Sequence, residues 1–100
     1  MENKIMAEVL EMIKAERNWQ DKKWGKQNHE LPIWVGILGE EYGEFCEAVN
    51  ETVFDNGNEA RKKGGVENIV KELTQVAAVA VACIENIKRI QSRERICRKK

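Results

Sequence analysis

Five residues of this chain have the types and spacing to hold a cation. Glu40, Glu41 and Glu44 fall in one short segment, and Glu72 and Gln75 repeat the three-residue step of Glu41 and Glu44 further along. On a helix turning about 100° per residue, the first three side chains lie within an arc of roughly 100°, so they share a face. Ile37 and Ala48 fall inside the same arc. The carboxylates therefore border an apolar stripe instead of opposing it. No Lys or Arg stands four residues from Glu40, Glu41 or Glu44 to balance them, and like charges at helical spacing cost about a few tenths of a kcal/mol per pair. A bound cation removes that cost. Magnesium accepts hard oxygen ligands and keeps several waters, so a few carboxylates from two helices form a suitable set. Glu72 directly precedes Leu73, whose place in an apolar stripe turns this segment toward a core, and Gln75 lies one helical turn further on.

Taken singly, a glutamate on a helix face is most often just solvated; the unpaired cluster is what argues for a ligand. Gly36, Gly39 and Gly43 form a stripe beside the carboxylates, each costing about 1 kcal/mol relative to alanine inside a helix. Either a neighbouring helix or a ligand needs close approach there.

The elements that must position these groups follow from the hydrophobic period. A first helix is expected from about Asn3 to about Lys23, with Ile5, Val9, Met12, Ile13 and Trp19 in one stripe and Gly25 as its stop. A second should begin near Pro32, where a missing amide proton is tolerated in the first turn, and end near Phe54. Its apolar face is Trp34, Ile37, Leu38, Phe45, Ala48, Val49 and Val53. The Asp55-Asn56-Gly57 break opens a polar loop with room for a short helical turn around Glu59 to Lys62. A third helix starts close to Val66, and between Val76 and Ile84 it is apolar on all sides. One small chain has difficulty covering such a surface, so part of it is expected to be a subunit interface. Residues 91–100 either prolong this helix or fray as a basic extension. There is no internal repeat and no alternating run that predicts a strand. The fold class expected is all-α: a bundle of three main helices plus a short connecting helix, completed by oligomerisation.

A length of 100 residues suits one domain, here spanning 1–100. With 42% hydrophobic and 34% charged residues gathered in blocks, the chain is not composed like a disordered one. Lys plus Arg equals Asp plus Glu at 17 each, which gives no overall field for nucleic acid or membranes. The charge is polarised nonetheless. Acids gather between Glu40 and Glu51, whereas Lys88, Arg89, Arg93, Arg95, Arg98, Lys99 and Lys100 make the C-terminal stretch basic. Cys46, Cys83 and Cys97 are odd in number and unpaired in spacing, as expected of reduced thiols in the cytoplasm. The opening residues Met1-Glu2-Asn3-Lys4 lack a signal-peptide layout, and the longest apolar run falls short of the roughly 20 residues that span a bilayer.

The pattern Glu40-Glu41-Tyr42-Gly43-Glu44 followed by Glu72-Leu73-Thr74-Gln75 resembles the MazG-like all-α nucleoside triphosphate pyrophosphohydrolase superfamily, whose signature is Glu-Glu-x-x-Glu on one helix and Glu-x-x-Asp on the next. Glutamine stands at 75 where that family usually has aspartate. The stretch Glu16-Arg17-Asn18-Trp19-Gln20 through Trp24-Gly25 is also similar to the region before the motif in small members. The resemblance covers roughly Ala15 to Ile87.

It implies a helical bundle assembled as a homodimer or homotetramer. The implied reaction is metal-dependent cleavage of a (deoxy)nucleoside triphosphate to the monophosphate and pyrophosphate. Glu40, Glu41, Glu44 and Glu72 would be catalytic, with Glu41, Glu44, Glu72 and Gln75 holding Mg2+ or Mn2+ and Glu40 a further ligand or the base. Trp24 and Trp34 are candidates to stack on the base, and Gln20, Asn28 and His29 to hydrogen-bond its edge. Core packing is the competing role for Trp34 and the expected one for Trp19, while His29 is expected to be solvent-exposed. Lys23, Lys71, Lys88 and Arg89 are candidate phosphate partners, although cations near a helix end also complement its dipole.

Two other readings compete. A carboxylate-bridged di-iron bundle needs Glu-x-x-His steps that this sequence lacks. A non-catalytic helical oligomer, binding nucleotide or a protein partner through the same glutamates, is compatible with glutamine at 75. The basic stretch as a nucleic-acid contact lacks interleaved aromatics.

Overall fold

The computed structural model describes residues 2–54 and 65–98. Among them are three α-helices and no strand: α1 (Glu2–Trp24), α2 (Leu31–Val53) and α3 (Val66–Arg98). The turn expected around Glu59 to Lys62, and Lys99 and Lys100, lie outside the described residues. Helix continues through residues 91–98, so this part of the basic stretch prolongs α3.

Each terminus has a local cause. Gly25 adopts φ +74 and its amide donates to Asp21 O at 2.8 Å, which closes α1 with the left-handed residue that glycine adopts without penalty. Pro32 sits in the first turn of α2, and Glu30 O accepts from Ile33 N at 3.0 Å and Trp34 N at 3.2 Å. Gly65, at φ +95, opens α3. Thr52 ties the two ends together there: its hydroxyl donates to Ala48 O at 2.8 Å and accepts from the Gly65 amide.

Both shorter helices pack against α3, and they hardly touch each other. The α2–α3 contact holds the small core of Trp34, Val79 and Ala82, with Ile37 and Cys83 packed on it and Ala48 and Ala78 buried alongside. The small residue at 82 lets the Trp34 ring lie against α3. The α1–α3 contact is polar at its key point, where the mostly buried Arg17 reaches Glu85 and also pairs with Asp21 at 3.1 Å. The stripe Ile5, Val9 and Met12 on α1 stays exposed in one chain. Trp19 is likewise half exposed, because it faces away from α3. That corrects the expectation that it packs in a core.

Candidate functional site

Helical spacing on α2 and the facing turn of α3 bring Glu41, Glu44 and Glu72 together. One carboxylate oxygen from each lies within 4.8 Å of the others. Glu41 and Glu72 are half-buried and Glu44 is exposed. Burial pushes the Glu41 carboxyl above its usual range, and the charges of Glu44, Glu72, Glu40 and Glu16 push it the same way. Burial also raises Glu72, with Glu44 and Glu47 adding to the effect and Lys71 opposing it. Both shifts have the sign expected where negative charge is crowded and partly desolvated, with Lys71 too little to offset it at Glu72.

Gln75 completes the group. Its amide nitrogen donates to Glu41 Oε2 at 3.1 Å and to Glu72 Oε1 at 2.9 Å, so it bridges the two helices. The donor set is one that hard cations take. Magnesium–oxygen bonds of about 2.0–2.1 Å place opposite ligands roughly 4.2 Å apart. Three ligands of one octahedron include at least two neighbouring pairs at about 2.9 Å, so oxygens within 4.8 Å of one another must close by up to about 2 Å around an ion.

A cleft of about 510 Å³ opens beside this cluster. Glu40 and Glu41 form its acidic end, and Trp34, Ile37, Val79 and Ala82 its apolar floor. Gln20 and Trp24 from α1 and residues 26–29 of the connection supply the remaining wall. Glu41 is thus shared between the carboxylate cluster and the cleft.

No family model, curated protein or solved structure matched this chain.

The substrate-binding candidates divide by place. Gln20, Trp24, Asn28, His29 and Trp34 line the cleft. Trp24 is 56% exposed and presents a face, whereas Trp34 is 3% exposed and its indole N–H donates to Asn86 Oδ1 at 2.8 Å. Trp34 is therefore first a core residue whose edge reaches the cleft. Gln20 is 4% exposed; its amide nitrogen donates to Glu16 at 3.1 Å and its buried Oε1 has no partner. His29 departs from the expected solvent exposure: it is half-buried, its ring stands edge-on to Trp34 at 5.0 Å, and Gln27 lies 3.2 Å from Nε2.

Three lysines do not line the cleft. Lys23 places its ammonium 4.8 Å from the ring centroids of both Trp19 and Trp24, Lys71 is exposed beside Glu72, and Lys88 lines a neighbouring cavity with Arg89.

Sequence reasoning missed Lys26 and Gln27 in the cleft wall, and it missed Asn86. Asn86 is 1% exposed. It accepts from Trp34 and from the His29 amide at 2.9 Å, and it donates to Asn28 Oδ1 at 3.1 Å. This one side chain fixes the connection that forms the cleft wall. Its signal in the sequence is a polar residue three positions past Cys83, a partly buried residue packed on the core, where the α3 stripe would otherwise be apolar.

Proposed function

We propose that this protein is a divalent-metal-dependent nucleoside triphosphate pyrophosphohydrolase that releases the nucleoside monophosphate and pyrophosphate. The observation that carries this reading is the position of Glu41, a carboxylate common to a three-carboxylate cluster and to a cleft of nucleoside size. Glu41, Glu44 and Glu72 would hold magnesium or manganese, with the Gln75 amide turning its oxygen inward. When bound, the metal supplies charge neutralisation and polarises the phosphoryl oxygens.

The residues of the chain do the rest. Glu40 stands exposed on the cleft wall, where it can accept a proton from the attacking water. Water adds at the α-phosphorus, the α–β anhydride bond breaks, and pyrophosphate leaves. Trp24 offers a stacking face for the base. Gln20 lines the cleft beside it, with its Oε1 shielded from the cleft space. Asn28 Oδ1 already accepts from Asn86 and Arg89, which leaves its amide nitrogen to donate to the base.

A second copy of the chain is part of the proposal. The apolar outer faces of α2 and α3 are left uncovered by one chain, and burying them would make a homodimer or a homotetramer.

The test is incubation with a panel of ribo- and deoxyribonucleoside triphosphates plus magnesium or manganese, with monophosphate and pyrophosphate both measured. Release in equal amounts, abolished by Glu41→Gln or Glu72→Gln in a folded protein, is the expected result. If no triphosphate is cleaved at micromolar enzyme, the reading is wrong. Nucleotide binding without cleavage would instead favour a non-catalytic binder, a role that the uncharged Gln75 bridge between Glu41 and Glu72 also suits.

A further inference from the structure

We infer that the concavity where α3 meets the α1–α2 connection is a second phosphate-group site, distinct from the carboxylate end of the cleft. Lys26, Asn28, Lys88, Arg89, Ser92 and Arg93 line it, around a volume of about 510 Å³. No carboxylate is among them. Arg89 and Arg93 are one helical turn apart, as are Lys88 and Ser92, so α3 presents like cations side by side and the connection adds Lys26. Such crowding is unfavourable on an unliganded helix face. Among the described residues, Lys26, Lys88 and Arg93 make no ion pair.

Arg89 differs from an ordinary solvated arginine because it is held in place. Its Nη2 donates to Gln27 O at 2.7 Å and to Asn28 Oδ1 at 2.9 Å, and its Nε lies 3.2 Å from the same Asn28 oxygen. Nη1 makes no hydrogen bond among the described residues. A guanidinium fixed in this way loses little freedom on meeting an anion, and planar donors beside ammonium groups match phosphate oxygens.

The site joins the cleft, since Lys26 and Asn28 line both. A nucleotide whose base lies between Trp24 and Asn28 could therefore extend a second phosphate toward Arg89, away from the phosphates at Glu41. This spanning arrangement rests on the cleft being a nucleotide site, whereas the phosphate site itself does not. Its concave shape favours a compact phosphate group over an extended nucleic-acid backbone.

Two titrations test the inference. In the first, inorganic pyrophosphate is added to the isotopically labelled full chain in EDTA, so that no metal bridges it to the carboxylates. Saturable amide shifts at Lys26, Asn28 and Ser92 are expected. The Lys88→Gln/Arg93→Gln double variant, whose changed side chains are exposed, should bind about tenfold more weakly, while Glu41→Gln should bind as wild type. No saturable shift, or equal affinity in the double variant with an unchanged melting temperature, overturns the inference. In the second, deoxynucleoside 3′,5′-bisphosphates are compared with the matching 5′-monophosphates in manganese. An advantage of about fivefold or more that the double variant loses supports the spanning ligand. Equal affinities, with pyrophosphate binding intact, assign the site to free phosphate species. If no nucleotide binds at all, the proposed activity fails and the pyrophosphate titration still decides the site. A single-stranded oligonucleotide that binds far more tightly than pyrophosphate overturns it in favour of nucleic acid.

Discussion

Glu41 is repelled by Glu44, Glu72, Glu40 and Glu16, and the first consequences are electrostatic. The fold favours protonated Glu41 and Glu72 relative to the unfolded chain, because both are raised above the ordinary value of 4.5. The folded state then binds more protons than the unfolded state just above that value. Without divalent metal, these two groups make stability fall as pH rises from the ordinary value through their raised ones, after which their effect levels off. Glu41→Gln should flatten this slope and raise the melting temperature in EDTA by roughly 1–3 °C, the solvent-screened worth of removing one charge from the cluster. Magnesium should stabilise the wild type and leave the variant nearly unchanged in a calorimetric scan. A variant less stable than wild type in EDTA would mean that the cluster is not self-repelling. Gln75→Asp makes the converse change. With its bridge to Glu41 and Glu72 replaced by a fourth charge, the metal-free protein should melt lower and bind manganese about tenfold more tightly by calorimetric titration. Unchanged affinity would place residue 75 outside the metal's reach. Glu41 and Glu44 were readable as neighbours because like charges at helical spacing meet whatever the tertiary fold, whereas Glu72 joins them only through the packing of α2 on α3. The partnerless oxygen of Gln20 was not readable either, since its burial depends on neighbours remote in sequence.

The helices themselves were legible wherever a local signal sets a boundary. Gly25 and Gly65 take the positive φ that stops α1 and opens α3, and Pro32 occupies the first turn of α2. All three act within one turn of chain, so period and punctuation sufficed. What the pattern did not reveal is that α1 joins α3 through Arg17 and Glu85 while its apolar stripe stays uncovered, because a stripe predicts that a face will be buried and not which element buries it. The same limit hid the role of Asn86, which a period alone reads as an interruption. Three elements meet on this residue, and its removal should be felt in all of them. Asn86→Leu strands the Trp34 indole N–H and the His29 amide without an acceptor, so a loss of about 2–4 kcal/mol is expected in urea denaturation. Asn86→Asp keeps the acceptor and should cost less. Hydrogen exchange at His29 should rise in the leucine variant well before global unfolding, because the connection loses its attachment to α3. Protection of His29 equal to wild type would show that the connection is held by something other than Asn86.

For the whole molecule, the question is what covers the surfaces that one chain leaves bare. The radius of gyration is 17.1 Å and the extents are 64 × 35 × 22 Å, whereas a compact chain of this length has a radius near about 13 Å. Only five apolar residues are buried among those described. The shortage has a structural origin: α2 and α3 are each apolar on two sides. Trp34, Ile37 and Ala48 face inward on α2, while Leu31, Val35, Tyr42 and Val53 follow helical spacing along a second side about 120° round the helix, with Val35 71% exposed. On α3 the outer row is Val66, Val70, Leu73 and Ile84, and Ala77 and Ala80 lie within it. The all-round apolar run from Val76 to Ile84 is thus a buried inner row of Ala78, Val79 and Ala82 and a half-buried outer row of Ala77 and Ala80 that ends at the exposed Ile84. Among the described residues, nothing beyond the helix's own backbone lies within 4 Å of a side-chain carbon built at Gly36, Gly39 or Gly43, which leaves this face open to a close-packed neighbour. A second copy would supply apolar rows of the same kind and complete a bundle. Light scattering should therefore give a mass at least twice that of one chain at micromolar concentration. Val35→Glu and Leu73→Glu, both outside the cluster and the cleft, should shift it toward monomer and lower the melting temperature in a concentration-dependent way. A wild-type monomer with a cooperative melt that does not vary with concentration would sink the idea. The Glu41 cluster would then have to function in an open three-helix chain.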